Sequence, residues 1–147
     1  MEKKRVIVTG GGASGLMAAI AAAENGAAVT ILEQNEKPGK KICATGNGKC
    51  NFTNIQVPSD AYRSENPGFE QAVLVEDTVK FFTRLGIYPV NKNGGYLYPH
   101  SGQAASVAEV LCMEARNLGV KIKTNQKVQR VFKEQDIWKV QVEGWIY

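Results

Sequence analysis

A chain of 147 residues with a net charge of +4 has room for one domain, and 44% hydrophobic with 22% charged residues is the balance of an ordinary soluble globular fold. The basic residues are scattered rather than massed, which argues against a nucleic-acid partner and is compatible with an anionic cofactor. No stretch reaches the ~18 apolar residues of a membrane helix, and the run after the basic residues 1–5 breaks at Gly10, too early for a secretory signal. The odd number of cysteines (Cys43, Cys50 and Cys112) is expected to remain as free thiols in a reducing cytoplasm.

Residues 5–9 are a short apolar run bounded by glycine and predict a buried strand. Gly10, Gly12 and Gly15 follow in the spacing G-x-G-x-x-G, and residues 14–25 predict a helix. Leu16, Ala19, Ile20 and Ala23 fall on one face of it, with Gly26 as its stop. In this pattern Gly10 lets the chain leave the strand in a tight turn. Gly12 removes the Cβ that would hold the backbone away from a pyrophosphate, and Gly15 lets the helix press against the strand. The helix start at Ala13, Ser14 and Gly15 then turns free N–H groups and the helix dipole toward the phosphates. Residues 27–33 predict a second strand, with Val29, Ile31 and Leu32 apolar, and the βαβ context is what the glycine spacing needs to carry meaning. Glu33 ends that strand 18 residues beyond Gly15. A carboxylate there can accept both hydroxyls of a ribose and would repel a 2′-phosphate, which favours FAD or NAD over NADP.

Residues 34–54 have no sustained periodicity and are dense in Gly, Lys, Asn and Thr. Composition allows two readings, a loop whose amides and ammonium groups approach phosphates or a flexible surface loop. Within it, Gly39-Lys40-Lys41-Ile42 followed by Thr45-Gly46-Asn47-Gly48-Lys49-Cys50-Asn51-Phe52-Thr53-Asn54 resembles the signature of the BaiN/YhiN-like NAD(P)/FAD-dependent oxidoreductases. Tyr96-Leu97-Tyr98-Pro99-His100-Ser101-Gly102-Gln103-Ala104-Ala105-Ser106-Val107 resembles that family's second hallmark, an aromatic and proline segment leading into a helix. The resemblance covers essentially the whole chain. It implies an α/β fold, a Rossmann-like FAD/NAD(P)-binding domain with a parallel sheet, helices and a β-meander. It implies FAD as cofactor, NAD(P)H as a possible electron donor and a small organic substrate. By position it makes Lys41, Thr45, Gly48, Cys50 and Asn51 flavin neighbours and counts Gln34 and Gly46 among the cofactor-binding residues. It also assigns a backbone contact with the adenine to Val128.

Residues 67–85 predict a helix that offers Phe69, Val73, Phe81, Phe82 and Leu85 to a core and closes at Gly86. A loop through Gly94-Gly95 precedes the tyrosine-rich segment. Ser101 or Ser106 is expected to cap a helix over residues 104–118, with Val107, Val110, Leu111 and Leu118 apolar and Gly119 ending it. Residues 120–124 alternate as a strand, and residues 128–132 and 137–142 predict a β-hairpin.

Reactive side chains are few. Cys43 and Cys50 stand in a C-x6-C spacing, whereas the dithiol flavoproteins of the wider superfamily use C-x4-C there. A near-flavin thiol at Cys50, a redox pair with Cys43 and inert packing are all open readings. Cys112 lies mid-helix and reads as buried filler. One histidine and no spaced cysteine pair give no metal-ligand cluster. His100 is open to two readings, a substrate-side acid or base and a solvated loop residue. The relatives implied by the resemblance continue past Tyr147 into an apolar strand ending Ala-Thr-Gly-Gly and then a second domain. The expectation is therefore the N-terminal part of an FAD-binding domain over residues 1–147, truncated before the final sheet strand, with little turnover of its own. Its open sheet edge would permit self-association. The competing expectations are a non-catalytic dinucleotide-binding fragment and a dithiol oxidoreductase using Cys43 and Cys50.

Overall fold

The computed structural model describes residues 3–57, 65 and 75–147. The chain divides into two units, one of Met1–Ile42 with Ala108–Tyr147 and the other of Cys43–Val107. In chain order the elements begin with β1 (Arg5–Thr9), α1 (Ala13–Glu24), β2 (Ala28–Leu32), α2 (Lys40–Ala44), β3 (Thr53–Asn54) and α3 (Val75–Arg84). They continue with β4 (Pro89–Asn91), β5 (Tyr96–Pro99), α4 (Ala104–Asn117), β6 (Lys121–Lys123), β7 (Arg130–Glu134), β8 (Ile137–Val142) and β9 (Trp145–Ile146).

The first unit holds a parallel sheet in the order β1-β2-β6, with Val6 opposite Val29 and Ile31 opposite Ile122. Position in the sheet sets burial. Val29, Ile31 and Leu32 on central β2 are buried, whereas Val6, Ile7 and Val8 on edge strand β1 are only half-buried despite an equally apolar sequence. α1 turns Leu16, Ala19 and Ile20 inward and ends at Gly26, whose φ of +83° is left-handed and unfavourable to any residue with a Cβ. β7, β8 and β9 form an antiparallel meander. Its Val140 and Val142 join Leu32 in a buried cluster, with Ile7, Val128 and Tyr147 packed against it. The expected hairpin is thus present, with β9 as a third strand. The β7–β8 connection is a two-residue turn in which Gln135 and Asp136 both have positive φ, the geometry that matches strand twist.

The second unit is built on an antiparallel sheet in the order β3-β5-β4. Phe82 of α3 lies 4.8 Å from Phe52, ring centre to ring centre, and Phe82, Ile87 and Leu97 are buried. These strands run two to four residues and contain Pro89 and Pro99, too short and too broken for alternation to register. Their segments accordingly read as loop from sequence. Residues 40–48, also expected as loop, form α2 and a 3₁₀ turn over Thr45–Gly48. The helix expected over 67–85 is described from Val75 to Arg84, and Phe69 and Val73 lie outside the described residues. Among the described residues no helix is long and apolar enough to cross a membrane.

Candidate cofactor site

The turn after β1 is fixed by backbone geometry at each position. Gly10 has φ +92°, and its amide donates to the Leu32 carbonyl at 2.8 Å, tying the turn to the end of β2. A Cβ on Gly15 would stand 1.9 Å from the Gly10 carbonyl oxygen, so α1 can approach the turn only at a glycine. Gly12 is different. Its φ of −78° and ψ of −171° suit any residue, and a Cβ built on it meets nothing within 4 Å. Neither backbone strain nor a protein neighbour requires glycine there. What its absent side chain leaves is open space beside the start of α1. Gly12 caps that helix without a side-chain hydrogen bond, and the first turn carries no acid. The first-turn amides at Ala13, Ser14 and Gly15 have no intrahelical acceptor in such a geometry, and Ala13 and Ser14 are exposed.

Glu33 follows β2 and is only 6% exposed. Its Oε2 accepts from the Gly11 amide at 2.6 Å, and its Oε1 accepts from the Asn35 amide at 2.8 Å and from Asn35 Nδ2 at 2.6 Å. Burial pushes the carboxyl upward, but the donors on Asn35, Gly11 and Gln34 outweigh it and hold the group below its usual value, keeping it ionised. The carboxylate is therefore committed to protein amides on both oxygens. Gly11 is the pivot: its carbonyl accepts from Gly39 N at 2.8 Å, and a Cβ on it would lie 2.9 Å from Pro38 Cβ and 3.2 Å from Glu33 Oε2. Gly11, Asn35 and Gly39 are not among the cofactor-binding residues expected from the sequence. The glycine spacing treats Gly11 as an unspecified position, and only the run of three glycines hinted at it.

Of the other expected residues in this unit, Gln34 is exposed beside Glu33 and Lys41 is exposed on α2. Val128 is half-buried against the Leu32, Val140 and Val142 cluster. The remaining ones share a single loop in the second unit. Gly46, Asn47, Gly48 and Cys50 all have positive φ, and Cys50 N donates to Thr45 O at 3.0 Å. A Cβ on Gly46 would press on Asn51 N at 2.6 Å and the Tyr98 ring at 3.1 Å, while one on Gly48 would meet nothing within 4 Å. A left-handed cysteine is uncommon and costs of order 1 kcal/mol or more, so the loop around it is tightly determined. Cys50 is buried, and burial pushes its thiol up, with the Thr45 hydroxyl partly opposing this and nearby Cys43 adding to it. Cys43 is exposed, and none of Cys43, Cys50 and Cys112 forms a disulfide. His100 is exposed on a turn held by its amide's bond to the Tyr88 carbonyl. Neither expected serine caps α4 through a helical amide. Ser101 and Ser106 pair through their hydroxyls at 2.7 Å, Ser101 Oγ accepts from Gln103 N, and Ser106 Oγ donates to Gln103 O.

Comparison with known proteins gives a consistent result. Residues 4–145 match the HI0933-like protein Rossmann domain. Over 131 residues the chain is 50% identical to a 3-dehydro-bile acid delta(4,6)-reductase of Clostridium scindens, covering 85% of this chain and 32% of that protein. It is 35% identical over 138 residues to a ribosomal RNA dihydrouridine synthase of Haemophilus influenzae, covering 91% of this chain and 34% of that protein. The chain thus spans about a third of the length of these relatives. Among solved structures, the Diels-Alderase PyrE3 of pyrroindomycin biosynthesis aligns with 99% of this chain and 30% of its own at a TM-score of 0.62 and 19% identity, a likeness of fold. A parallel sheet, a glycine turn at its carboxyl edge and a match over nearly every residue lead to one assignment: the chain belongs to the HI0933-like Rossmann domain family.

Proposed function

We propose that residues 1–147 are the FAD-binding part of a flavin-dependent oxidoreductase in which hydride passes between NAD(P)H, the flavin and a small organic substrate. The observation that carries this reading is Gly12, whose lack of a Cβ answers no need of the protein itself and leaves an uncapped helix start open to a phosphate. When bound, the flavin supplies the hydride chemistry and the protein supplies position and electrostatics. Gly10, Gly12, Ala13, Ser14 and Gly15 form the turn that holds the pyrophosphate, Gly10 by shaping it and the others by backbone amides at the helix start. Glu33 serves the ribose while tying the turn, and Gln34 and the Val128 backbone serve the adenosine end. Lys41, Thr45, Gly46, Gly48, Cys50 and Asn51 serve the remainder of the cofactor. The relative with 50% identity is named as a bile acid reductase, which favours a small organic substrate over the RNA named for the other.

The test is reconstitution of the purified chain with FAD, followed by gel filtration and absorbance near ~450 nm. One FAD per chain is expected, with little or no NADH oxidation by this portion alone. Retention of NAD but not FAD would overturn the flavin assignment, and turnover at the rate of a complete flavoenzyme would overturn the expected inactivity.

A further inference from the structure

The Glu33 carboxylate is buried and its acceptor capacity is already taken up. An ionised carboxylate offers about four lone-pair positions. Oε1 takes two donors, the Asn35 amide at 2.8 Å and Asn35 Nδ2 at 2.6 Å, and Oε2 takes the Gly11 amide at 2.6 Å. The Gln34 amide favours the same ionised group as a further donor. A ligand hydroxyl therefore gains a place on Glu33 only when one of these donors leaves.

All but one of the donors belong to anchored main chain. Gly11 is held through its carbonyl, which accepts from Gly39 N at 2.8 Å, and Pro38 packs so near that a Cβ on Gly11 would lie 2.9 Å from Pro38 Cβ. Residues 33–35 are pinned to the end of β6 and the loop after it. Glu33 N donates to Lys123 O at 2.9 Å, Glu33 O accepts from Gln126 N at 2.8 Å, and Asn35 O accepts from Asn125 N at 3.2 Å. Moving the Gln34 or Asn35 amide would disturb that pairing as well. Asn35 Nδ2 is different, because it sits on a half-buried side chain and leaves by rotation of that side chain alone. Its orientation is fixed by chemistry: a carboxylate only accepts, so the NH₂ end of the carboxamide must face it.

We propose that Asn35 is a positioning residue for the ribose: its carboxamide holds the place of a ribose hydroxyl on Glu33 Oε1 and swings aside when that hydroxyl binds; this rests on the reading that Glu33 serves the ribose. Without ligand, the carboxamide keeps a buried carboxylate satisfied. With ligand, one charge-assisted hydrogen bond is exchanged for another, so the hydroxyl adds little net affinity while Asn35 is present. Removing the carboxamide leaves the oxygen open, and the hydroxyl then contributes its full bond.

The test compares adenosine diphosphate with its 2′,3′-dideoxy analogue, by calorimetry, on the full 147-residue chain and on Asn35→Ala. The wild-type chain should prefer the ribose compound only slightly. In Asn35→Ala that preference should rise about ten-fold, the scale of one charge-assisted hydrogen bond, while the dideoxy compound binds both chains alike. A purely structural role for Asn35 would shift both ligands together and leave their ratio unmoved, and a ratio that is unmoved or lowered overturns the proposal. Circular dichroism checks that the variant folds. A second reading needs no substitution: in NMR of the isotope-labelled wild-type chain, the Asn35 side-chain amide signals should move on saturation with adenosine diphosphate and stay in place with the dideoxy compound. Signals that stay in place with both overturn the proposal. FAD retention is measured on the same samples. FAD retained with either overturning result leaves the flavin reading standing, and the expected ribose response without FAD retention does the reverse. Binding of neither adenosine diphosphate nor FAD overturns both.

Discussion

The Gly11 amide stands 2.6 Å from Glu33 Oε2, so the turn that ends β1 and the residue that ends β2 are one mechanical piece. Asn35 closes the other side of the same carboxylate. An acid that sequence reasoning assigns to a ligand is here also the brace of the loop that would receive the phosphates.

Replacing Glu33 should therefore cost stability even with no ligand present. Glu33→Ala leaves the buried Gly11 amide without its acceptor, and a loss of about 1–3 kcal/mol is expected in urea unfolding. The pH dependence has a definite sign. The folded value is depressed below the usual 4.5, so the contribution is complete above that value and is lost as pH falls through it toward the folded one. Below pH 4.5 the melting temperature of the wild-type chain should drop more steeply than that of Glu33→Gln. Parallel curves would show that the carboxylate is not a brace.

Gly12 and Gly15 should respond in opposite ways to the same change. Gly15→Ala drives a Cβ into the Gly10 carbonyl, and a loss of several kcal/mol or failure to fold is expected. Gly12→Ala meets open space at an ordinary φ, so its melting temperature should stay near wild type while FAD affinity falls at least ten-fold. Equal FAD affinity for Gly12→Ala and wild type would remove the main support for a phosphate at this turn.

Alkylation should separate the cysteines. Cys43 is exposed, whereas Cys50 and Cys112 are buried and burial holds the Cys50 thiol protonated at neutral pH. Peptide mapping after brief iodoacetamide treatment should find Cys43 labelled at least ten times faster than Cys50. Comparable rates would show the Cys50 loop to be open in solution.

The β7–β8 turn has room for improvement. Gln135 and Asp136 both carry positive φ, a conformation that Asn-Gly adopts at lower cost. The double change Gln135→Asn and Asp136→Gly should stabilise the chain by about 1 kcal/mol in thermal or urea unfolding. The exposed Lys133–Asp136 pair that it removes contributes little. An unchanged or lower midpoint would contradict the turn geometry.

The half-buried edge of β1 is expected to permit association. Val6, Ile7 and Val8 pair with β2 on one side, and no other strand pairs with β1 among the described residues. Sedimentation velocity should show mean mass rising with concentration; a monomer throughout would argue that the edge is protected.

Much of the parallel sheet was legible because its signals are strong and local. Residues 5–9, 14–25 and 27–33 announce strand, helix and strand through an apolar run, a small-residue face and flanking glycines, and β1, α1 and β2 lie within a residue or two of those bounds. The short strands of the second unit were not, because β3 to β5 are stabilised by pairing rather than by their own pattern. At the site, the glycines and Glu33 could be named from spacing. The roles of Gly11, Asn35 and Gly39 could not, since each is defined by a partner distant in sequence or by a backbone atom.

The discontinuity of the first unit sets an order of events. β1 and β2 can pair soon after they are synthesised, but Thr30 of β2 finds Lys121 of β6 only after all of Cys43–Val107 has been made and its ends brought together. Closing that long connection carries an entropy cost that local helix and hairpin formation does not. During translation, the outer face of β2 must wait for its neighbour while the intervening unit emerges. The strand that is central in the finished sheet is an open edge for most of its assembly, and its Val29, Ile31 and Leu32 are the residues most exposed to misassociation in that interval.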